Sequence, residues 1–199
     1  MTDKFEEANL DHQRSSSDTL LPEGVYLQHA LWNFDKGGEL QDLLHSLKYN
    51  RLPGVGVDLG RQLGKSLKAN QWFKDLLLNK DAEVVLIPVP LHWRKRRKRG
   101  YNQAYYIAKG VAEVMKVSMV GKSDVLRKKN TKTQTGFTLQ KRKKNMEEAF
   151  SVANAEAVKH KICVIIDDVF TTGATTFELA STIRKEEREE ILIATVAQA

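Results

Sequence analysis

The chain has 199 residues, of which 41% are hydrophobic and 29% are charged, a length and composition that suit one globular domain and exclude a wholly disordered chain. It contains no run of about 18 consecutive apolar residues, which excludes a membrane-spanning helix. The formal net charge of +7 favours an anionic partner.

The N-terminal third predicts an arm followed by two helices. Residues 1–24 are polar and aperiodic, so we expect a mobile N-terminal arm, without the basic end and apolar core of a signal peptide. Between Glu39 and Tyr49, leucines recur at helical spacing. Pro53 is expected to end that helix, and a second helix is predicted from about Asp58 to Leu78.

Three apolar segments predict the strands of a sheet. EVVLIPV (83–89) is a nearly continuous apolar run, typical of a strand that is buried on both faces. ICVIID (162–167) and ILIATVA (191–197) have the same character. Helices are predicted at 101–116 and 174–187. Strands that alternate with helices predict an α/β fold with a parallel or mostly parallel sheet.

The positive charge is concentrated in one part of the chain. Residues 91–145 hold 17 of the 32 Lys and Arg residues and two of the 25 acidic residues, which gives this segment a net charge of +15 and the remainder −8. One part of it, HWRKRRKRG (92–100), has six consecutive basic residues. The other part, 127–145, shows no periodicity and predicts a long loop.

The segment ICVIIDDVFTTGATT (162–176) carries the clearest chemical signal. A predicted strand ends in Asp167 and Asp168, and a Thr/Gly turn then opens a helix. Such a turn fits a phosphate monoester, because Gly173 lets successive N–H groups converge, the threonines add hydroxyl donors and the helix N-terminus is positive. The two carboxylates fit a ligand that also carries vicinal hydroxyls or Mg²⁺. A sugar phosphate with a ribose diol satisfies both ends of the motif.

Several segments resemble a known family. VIIDDVFTTGATT resembles the signature of type I phosphoribosyltransferases that binds phosphoribosyl pyrophosphate (PRPP). LKYNR (47–51) and IPVPLHWRKRRKRGYNQA (87–104) resemble segments of the ComF family, which are competence-associated proteins of this type. The following residues also fall at that family's spacing: Gln134, Gly136, Arg142, Asn145, Ala149 and Phe150. The resemblance covers roughly residues 40–197.

The resemblance implies a type I phosphoribosyltransferase-like parallel sheet flanked by helices, with a flexible hood loop. Asp167 and Asp168 would contact the ribose hydroxyls and, directly or indirectly, Mg²⁺, and they are the candidate catalytic residues. The remaining implied site residues are Thr171, Thr172, Gly173, Ala174 and Thr175 for PRPP, Pro88, Val89, Pro90 and Arg99 for pyrophosphate, and Gln134, Arg142 and Asn145 in the hood.

The implied activity is Mg²⁺-dependent transfer of phosphoribose from PRPP to an acceptor that the sequence does not identify, and no residue stands out as a general base. The alternative is a non-catalytic adaptor or nucleic-acid-binding protein that acts in DNA uptake, with single-stranded DNA and the uptake machinery as partners. Under these two hypotheses, the basic run Arg94–Lys98 neutralises pyrophosphate, contacts nucleic acid or forms a solvated surface.

The cysteine content bears on zinc binding and on the cellular compartment of the protein. Many ComF proteins begin with a four-cysteine zinc module, whereas this chain has a single cysteine, Cys163. We therefore expect no zinc, and residues 25–199 are predicted to form one phosphoribosyltransferase-like domain. A lone cysteine and the lack of a signal peptide predict a cytoplasmic protein.

Overall fold

The structure, a computed structural model, describes residues 5–8, 12–13, 21–79, 82–129, 148–185 and 190–199. Its strands are β1 (His12–Gln13), β2 (Val25–Asn33), β3 (Glu83–Pro88), β4 (Ser118–Met119), β5 (Val125–Arg127), β6 (Phe150–Val152), β7 (Lys161–Phe170) and β8 (Ile191–Gln198). Its helices are α1 (Glu39–Tyr49), α2 (Pro53–Ala69), α3 (Gln71–Asn79), α4 (Trp93–Arg99), α5 (Gln103–Met115) and α6 (Ala174–Arg184), with a short 3-10 helix at Ala155–Ala157.

The main sheet has the strand order β1-β2-β8-β7-β3-β4. All of its pairings are parallel except β1 with β2, and β5 and β6 form a separate antiparallel pair. Helices cover both faces, so the predicted fold class is confirmed. The three predicted strands are β3, β7 and β8, and they lie side by side.

Strand β2 was not predicted from the sequence. Gln28 and His29 interrupt its apolar run, yet both are buried. Gln28 Nε2 donates to Gln198 Oε1 at 3.4 Å, and His29 Nε2 lies 3.0 Å from Ser66 Oγ, so the two polar side chains have partners within the fold. These tertiary contacts, which no local pattern reveals, make the segment a central strand.

The helices partly follow the predicted boundaries. Helix α1 occupies its predicted range, but Pro53 begins α2, where its missing N–H costs nothing, instead of ending α1. The single helix expected from Asp58 to Leu78 is two helices. Asn70 separates them, and its side-chain oxygen accepts the Phe73 N–H at 2.9 Å, which caps α3. The predicted helices 101–116 and 174–187 are α5 and α6, and α6 ends at Arg184.

The core has a layer on each face of the sheet. On β7, Ile162, Val164 and Ile166 belong to the layer covered by α1, α2, α3 and α5, whereas Cys163 and Ile165 belong to the layer covered by α6 and the β5–β6 pair. Helices α2 and α5 are in close contact, since a Cβ at Gly110 would lie 2.0 Å from the carbonyl oxygen of Val57. This contact fixes α5, whose first turn lies at the candidate site.

The described part of the predicted N-terminal arm contacts the sheet. β1 pairs with β2, and Phe5 packs edge-on against Trp32 with ring centroids 5.0 Å apart. The rest of the arm lies outside the described residues, so the boundary at residue 24 stays a prediction. None of the helices in the described ranges has both the length and the apolar content to cross a bilayer.

Candidate functional site

The turn after β7 forms a small cavity. Its lining includes Asp167 and all five predicted PRPP-loop residues, Thr171 to Thr175. Gly173 has φ +70° and precedes the first residue of α6, and a Cβ there would lie 2.3 Å from a ring carbon of Phe177. Only glycine fits this position without strain. Because the first N–H groups of a helix have no partner within it, the cavity offers donors and a positive dipole end to an anion.

Asp168 lies beside this cavity in a buried ion pair. One of its carboxylate oxygens contacts the Lys48 ammonium, and Gln103 Nε2 lies 3.4 Å from the other. Burial acts to raise the pKa of Asp168, but the ammonium of Lys48, together with hydrogen bonds to Asp167 and Gln103, brings this pKa below its usual value. Asp168 is therefore held as a carboxylate.

Asp167 has the opposite electrostatic character. Burial, followed by the negative charge of Asp168, raises the pKa of Asp167 well above its ordinary value. Its Oδ1 accepts the backbone N–H of Asp168 at 2.9 Å. Of the two acids, Asp167 is the one that lines the cavity. The two adjacent carboxyl groups thus differ in the direction of their pKa shift, and only Asp167 lines the cavity.

The predicted pyrophosphate loop, Pro88 to Pro90, begins at the last residue of β3. Since β3 and β7 are parallel neighbours, this loop and the turn after β7 lie at the same edge of the sheet. The Val89 N–H donates to Ile166 O at 2.9 Å, and Asn102 Nδ2 donates to Val89 O at 3.0 Å. Asn102 also caps α5 by accepting the Ala104 N–H. The loop is therefore held by both the sheet and α5.

The basic run is a helix, α4, which the sequence analysis did not predict. His92 caps it, since its Nδ1 accepts the Arg94 N–H at 3.3 Å. Lys95 and Arg99 are one turn apart and are half-buried, whereas the other basic residues of the helix are exposed. Arg99 donates to Gln103 Oε1 at 3.3 Å and its guanidinium lies 5.3 Å from the Tyr49 ring centre. Arg99 is thus connected to Asp168 through the side chain of Gln103.

Lys95, Arg99 and Arg127 form a group of cations that lie close enough to affect one another, and Arg127 also interacts with Asp167. Burial, with the charges of Arg127 and Arg99, lowers the pKa of Lys95 to about 8. Burial likewise lowers the pKa of Arg127, which the negative charge of Asp167 partly offsets. Positive groups that lower one another's pKa values repel one another. An anion bound between them would relieve this repulsion, so the group favours an anionic ligand.

Four residues of this site were not singled out from the sequence. Lys48 and Gln103 fall inside the family-like segments LKYNR and RGYNQA, so the signal was present but was not assigned to a role. Lys95 would follow from i, i+4 spacing with Arg99 once the basic run is read as a helix. Arg127 was expected in the basic loop, but it ends β5.

The site residues in the predicted hood, Gln134, Arg142 and Asn145, lie outside the described residues, so their assignment stays a prediction. The described residues that flank this segment are paired, with Arg127 opposite Phe150 in the β5–β6 pair. Among the described residues, no group of three or more His, Cys, Asp or Glu side chains could hold a metal ion. Mg²⁺ is commonly held by one or two carboxylates together with substrate phosphates, and Asp167 fits that role because Asp168 already contacts Lys48.

Comparisons with known proteins support the family resemblance that the sequence motifs indicate. The family described as phosphoribosyl transferase domain matches residues 99–199. Competence protein F of Haemophilus influenzae is 34% identical over 115 residues, which are 57% of this chain and 50% of the relative. DNA utilization protein YhgH of Shigella flexneri is 30% identical over 146 residues, which are 73% and 61%. Competence protein ComFC of Bacillus subtilis is 30% identical over 95 residues, which are 48% and 36%. The chain spans less than two thirds of the length of each of these relatives.

Proposed function

The chain belongs to the phosphoribosyl transferase domain family and, within it, to the ComF proteins, and on that premise we propose that it binds PRPP with Mg²⁺ and transfers the phosphoribosyl group to an acceptor. One observation carries the proposal. A cavity that fits a phosphate, with a carboxyl group in its wall, lies at the same sheet edge as a group of three cations. PRPP carries a phosphate, a ribose diol and a pyrophosphate, which match the cavity, the carboxyl group and the cations in that order.

Each part of PRPP has a matching group in this proposal. The 5′-phosphate is bound by N–H groups and hydroxyls of Thr171 to Thr175, and the ribose hydroxyls donate to Asp167. The pyrophosphate lies against the Pro88–Pro90 loop and is neutralised by Lys95, Arg99 and Arg127. Mg²⁺, when bound through PRPP oxygens and Asp167, would supply further neutralisation of the leaving group. Its positive charge would also favour the ionised form of Asp167.

The proposed reaction is a substitution at the anomeric carbon. A nucleophilic atom of the acceptor forms a bond to this carbon as the C–O bond to pyrophosphate breaks. Pyrophosphate leaves with the electron pair of that bond, and the proton of the acceptor passes to solvent. The transition state has oxocarbenium character, as in other glycosyl transfers. The carboxylate of Asp167 would stabilise positive charge on the sugar, and the cation group would stabilise the charge on pyrophosphate.

The biological setting is part of the same proposal. The relatives carry the names competence protein and DNA utilization protein, and we place this chain in DNA uptake by analogy with those names. A cytoplasmic location is included because the single cysteine, Cys163, is a buried thiol in a core strand and forms no disulfide. Disulfides are typical of proteins in oxidising compartments, whereas a buried thiol without a disulfide is typical of cytoplasmic proteins.

Isothermal titration calorimetry with PRPP and Mg²⁺ tests the ligand. The unmodified chain is expected to give saturable binding, and Asp167→Asn is expected to weaken it about tenfold or more, because it removes a charged hydrogen-bond acceptor. Lys98→Gln is the matched control, since Lys98 is exposed on α4. No heat from the unmodified chain, under conditions in which it is folded, would disprove PRPP binding.

A second candidate function is a nucleic-acid-binding adaptor on the same fold. The observation that favours it is the solvent side of α4, where Arg94, Arg97 and Lys98 are exposed. These three cations are exposed, unlike the half-buried pair Lys95 and Arg99, and the proposed PRPP contacts do not use them. A row of exposed cations suits the phosphate backbone of a nucleic acid.

A further inference from the structure

One hydroxyl buried in the main sheet lacks a hydrogen-bond partner. Thr195 of β8 is fully buried, and its Oγ1 has no partner among the residues that the structure describes. The buried threonines of α6 differ, since Thr176 Oγ1 donates to Gly173 O at 3.1 Å and Thr182 Oγ1 donates to Glu178 O at 2.8 Å. A buried hydroxyl without a partner costs free energy, so Thr195 calls for an explanation other than stability.

The register of the sheet places Thr195 beside Asp167. The two residues are Cα partners in the parallel pairing of β7 with β8. Two positions earlier on these strands, Ile165 and Ile193 pack in the same core layer. Because side chains alternate along a strand, Asp167 and Thr195 therefore project from the same face of the sheet. Neighbouring strands are about 4.8 Å apart, so the hydroxyl and the carboxyl group need only side-chain rotation to meet.

The other neighbours of Thr195 favour this pairing. Ala30, its register partner on β2, and Ile193, two residues before it, have apolar side chains. Gln28 lies diagonally across on β2, but its side-chain amide already donates to a glutamine of β8. Asp167 is therefore the polar side chain that is in register with Thr195 on the adjoining strands.

Asp167 has acceptor capacity for a second donor. Its Oδ1 accepts the backbone N–H of Asp168, and its side chain lines the small cavity after β7. A carboxylate offers about four lone-pair sites, so a hydroxyl from the neighbouring strand would not displace ribose hydroxyls or Mg²⁺. A hydrogen bond from β8 would instead fix the orientation of the carboxylate towards the cavity. Valine, which has the shape of threonine, could not supply this bond.

We infer that Thr195 is a positioning residue for Asp167. When a sugar phosphate is bound, the Thr195 hydroxyl donates to the Asp167 carboxylate and holds it towards the ribose hydroxyls. The inference rests on the sugar-phosphate part of the proposed function. Because this bond relieves the free-energy cost of the unpartnered hydroxyl, Thr195 adds to ligand affinity at the expense of stability without ligand.

Two variants separate the hydroxyl of Thr195 from its shape. In calorimetry, Thr195→Val is expected to weaken the binding of PRPP with Mg²⁺, and of ribose 5-phosphate without metal, about tenfold, because a hydrogen bond to a charged group is lost. Thr195→Ser is expected to stay within about twofold of the unmodified chain, since its hydroxyl can donate equally well. Without ligand, Thr195→Val is expected to raise the melting temperature by about 2–4 °C, because an unpartnered polar group leaves the core.

Three controls identify the cause of a weaker affinity. A role of Thr195 in packing alone predicts the opposite order, with Thr195→Val close to the unmodified chain and Thr195→Ser impaired. Inorganic phosphate lacks the ribose hydroxyls, so its binding, followed by ³¹P NMR, should be the same for Thr195→Val and the unmodified chain. Thr182→Val removes a buried hydroxyl that donates to a backbone carbonyl of α6, and it should leave PRPP affinity unchanged. In the Asp167→Asn background, Thr195→Val should cause no further loss of affinity.

The outcomes distinguish this inference from the proposed function. If PRPP binds and Thr195→Val leaves its affinity unchanged, or if the loss persists in the Asp167→Asn background, the inference is wrong and the proposed function stands. A lower melting temperature of Thr195→Val would show that the hydroxyl has a partner without ligand, and it would also overturn the inference. If ribose 5-phosphate binding depends on Thr195 but PRPP does not bind, the transfer function fails and Thr195 keeps its role. If neither sugar phosphate binds to the folded chain, both are wrong.

Discussion

Asp167 and Asp168 are neighbours in the chain, yet the fold gives them different tasks. Asp168 is buried against Lys48 and Gln103, and this pair ties the end of α1 to the strand that carries the site. Asp167 has no such cation in direct contact among the described residues and lines the phosphate cavity. Asp167 is therefore the acid that is accessible from the cavity, while Asp168 connects the surrounding elements.

This difference predicts stability changes of opposite sign. Asp168→Asn leaves the buried ammonium of Lys48 without its carboxylate and is expected to cost about 3 kcal/mol of unfolding free energy at pH 7. Asp167→Asn removes a carboxyl group that the fold disfavours in its charged form, so it is expected to stabilise by about 1 kcal/mol. Urea unfolding measures both. Lys48→Met should lose about as much as Asp168→Asn, and the double variant less than the sum.

The pH dependence of unfolding follows from the same two pKa shifts. The contribution of Asp168, whose pKa is lowered on folding, is present above its usual range and is lost as the pH falls through the folded-state pKa. Asp167, whose pKa is raised, stabilises the fold at low pH and loses that contribution as the pH rises through its folded-state pKa. Asp167→Asn is therefore expected to make stability rise more steeply from pH 3 towards neutral pH. An unchanged slope in urea midpoints measured against pH would contradict the shift assigned to Asp167.

Gly173 provides a test of the phosphate loop. In Gly173→Ala, a residue with positive φ gains a Cβ that meets the Phe177 ring. We expect a loss of about 1–2 kcal/mol from the backbone conformation alone, and weaker PRPP binding because the loop must shift. Melting temperature and PRPP titration measure the two effects. The double change Gly173→Ala/Phe177→Ala would relieve the clash but keep the positive φ, so it separates the two causes.

At the level of elements, α4 divides six consecutive basic residues among three environments. Lys95 and Arg99 are half-buried, Arg96 lines a cavity beside the pyrophosphate loop, and the other three are exposed. The 3.6-residue period of a helix produces this division without any change of residue type. A run that looks uniform in the sequence therefore occupies three different environments.

Lys95 predicts a pH effect on PRPP binding. With a pKa of about 8, its positive charge is present at pH 7 and largely lost by pH 9. PRPP affinity should fall over this interval relative to Lys95→Arg, which keeps the charge and corrects for titration of the ligand itself. Lys95→Gln should lower the affinity about tenfold at pH 7, because one charge-assisted contact is lost. Equal pH profiles for the unmodified chain and Lys95→Arg would argue against a role for Lys95 at the pyrophosphate.

Elements with a strong local signal could be predicted from the sequence. β3, β7 and β8 are runs of apolar residues, and the acids and glycine of the phosphate loop follow β7 directly in the chain. β2 could not be recognised because its buried Gln28 and His29 depend on partners elsewhere in the fold. α4 lacks the apolar periodicity that marks a helix, since nearly every residue is charged. The contact of Lys48 with Asp168 joins distant parts of the chain, which no local pattern can show.

For the molecule as a whole, the excess positive charge separates the two candidate functions. Exchange of Arg94, Arg97 and Lys98 for Gln should leave PRPP binding unchanged, since these side chains are exposed and are not among the proposed PRPP contacts. If the solvent side of α4 binds single-stranded DNA, the same triple variant should reduce the slope of log affinity against log salt by about 2. Fluorescence anisotropy over a salt series measures this slope. Absence of binding by the unmodified chain at low salt would eliminate the nucleic-acid alternative.

The strand order has a consequence for how the domain can be divided. The matched family region, 99–199, contains β7 and β8, but their outer neighbours, β3 and β2, come from residues before it. A protein trimmed to that region would expose two apolar strand edges and also lose Lys48, the counter-ion of Asp168. The unit defined by sequence similarity is therefore smaller than the unit that folds. Expression of the trimmed region alone is expected to give aggregates, and supplying residues 1–98 as a separate fragment is the natural way to restore its missing edges.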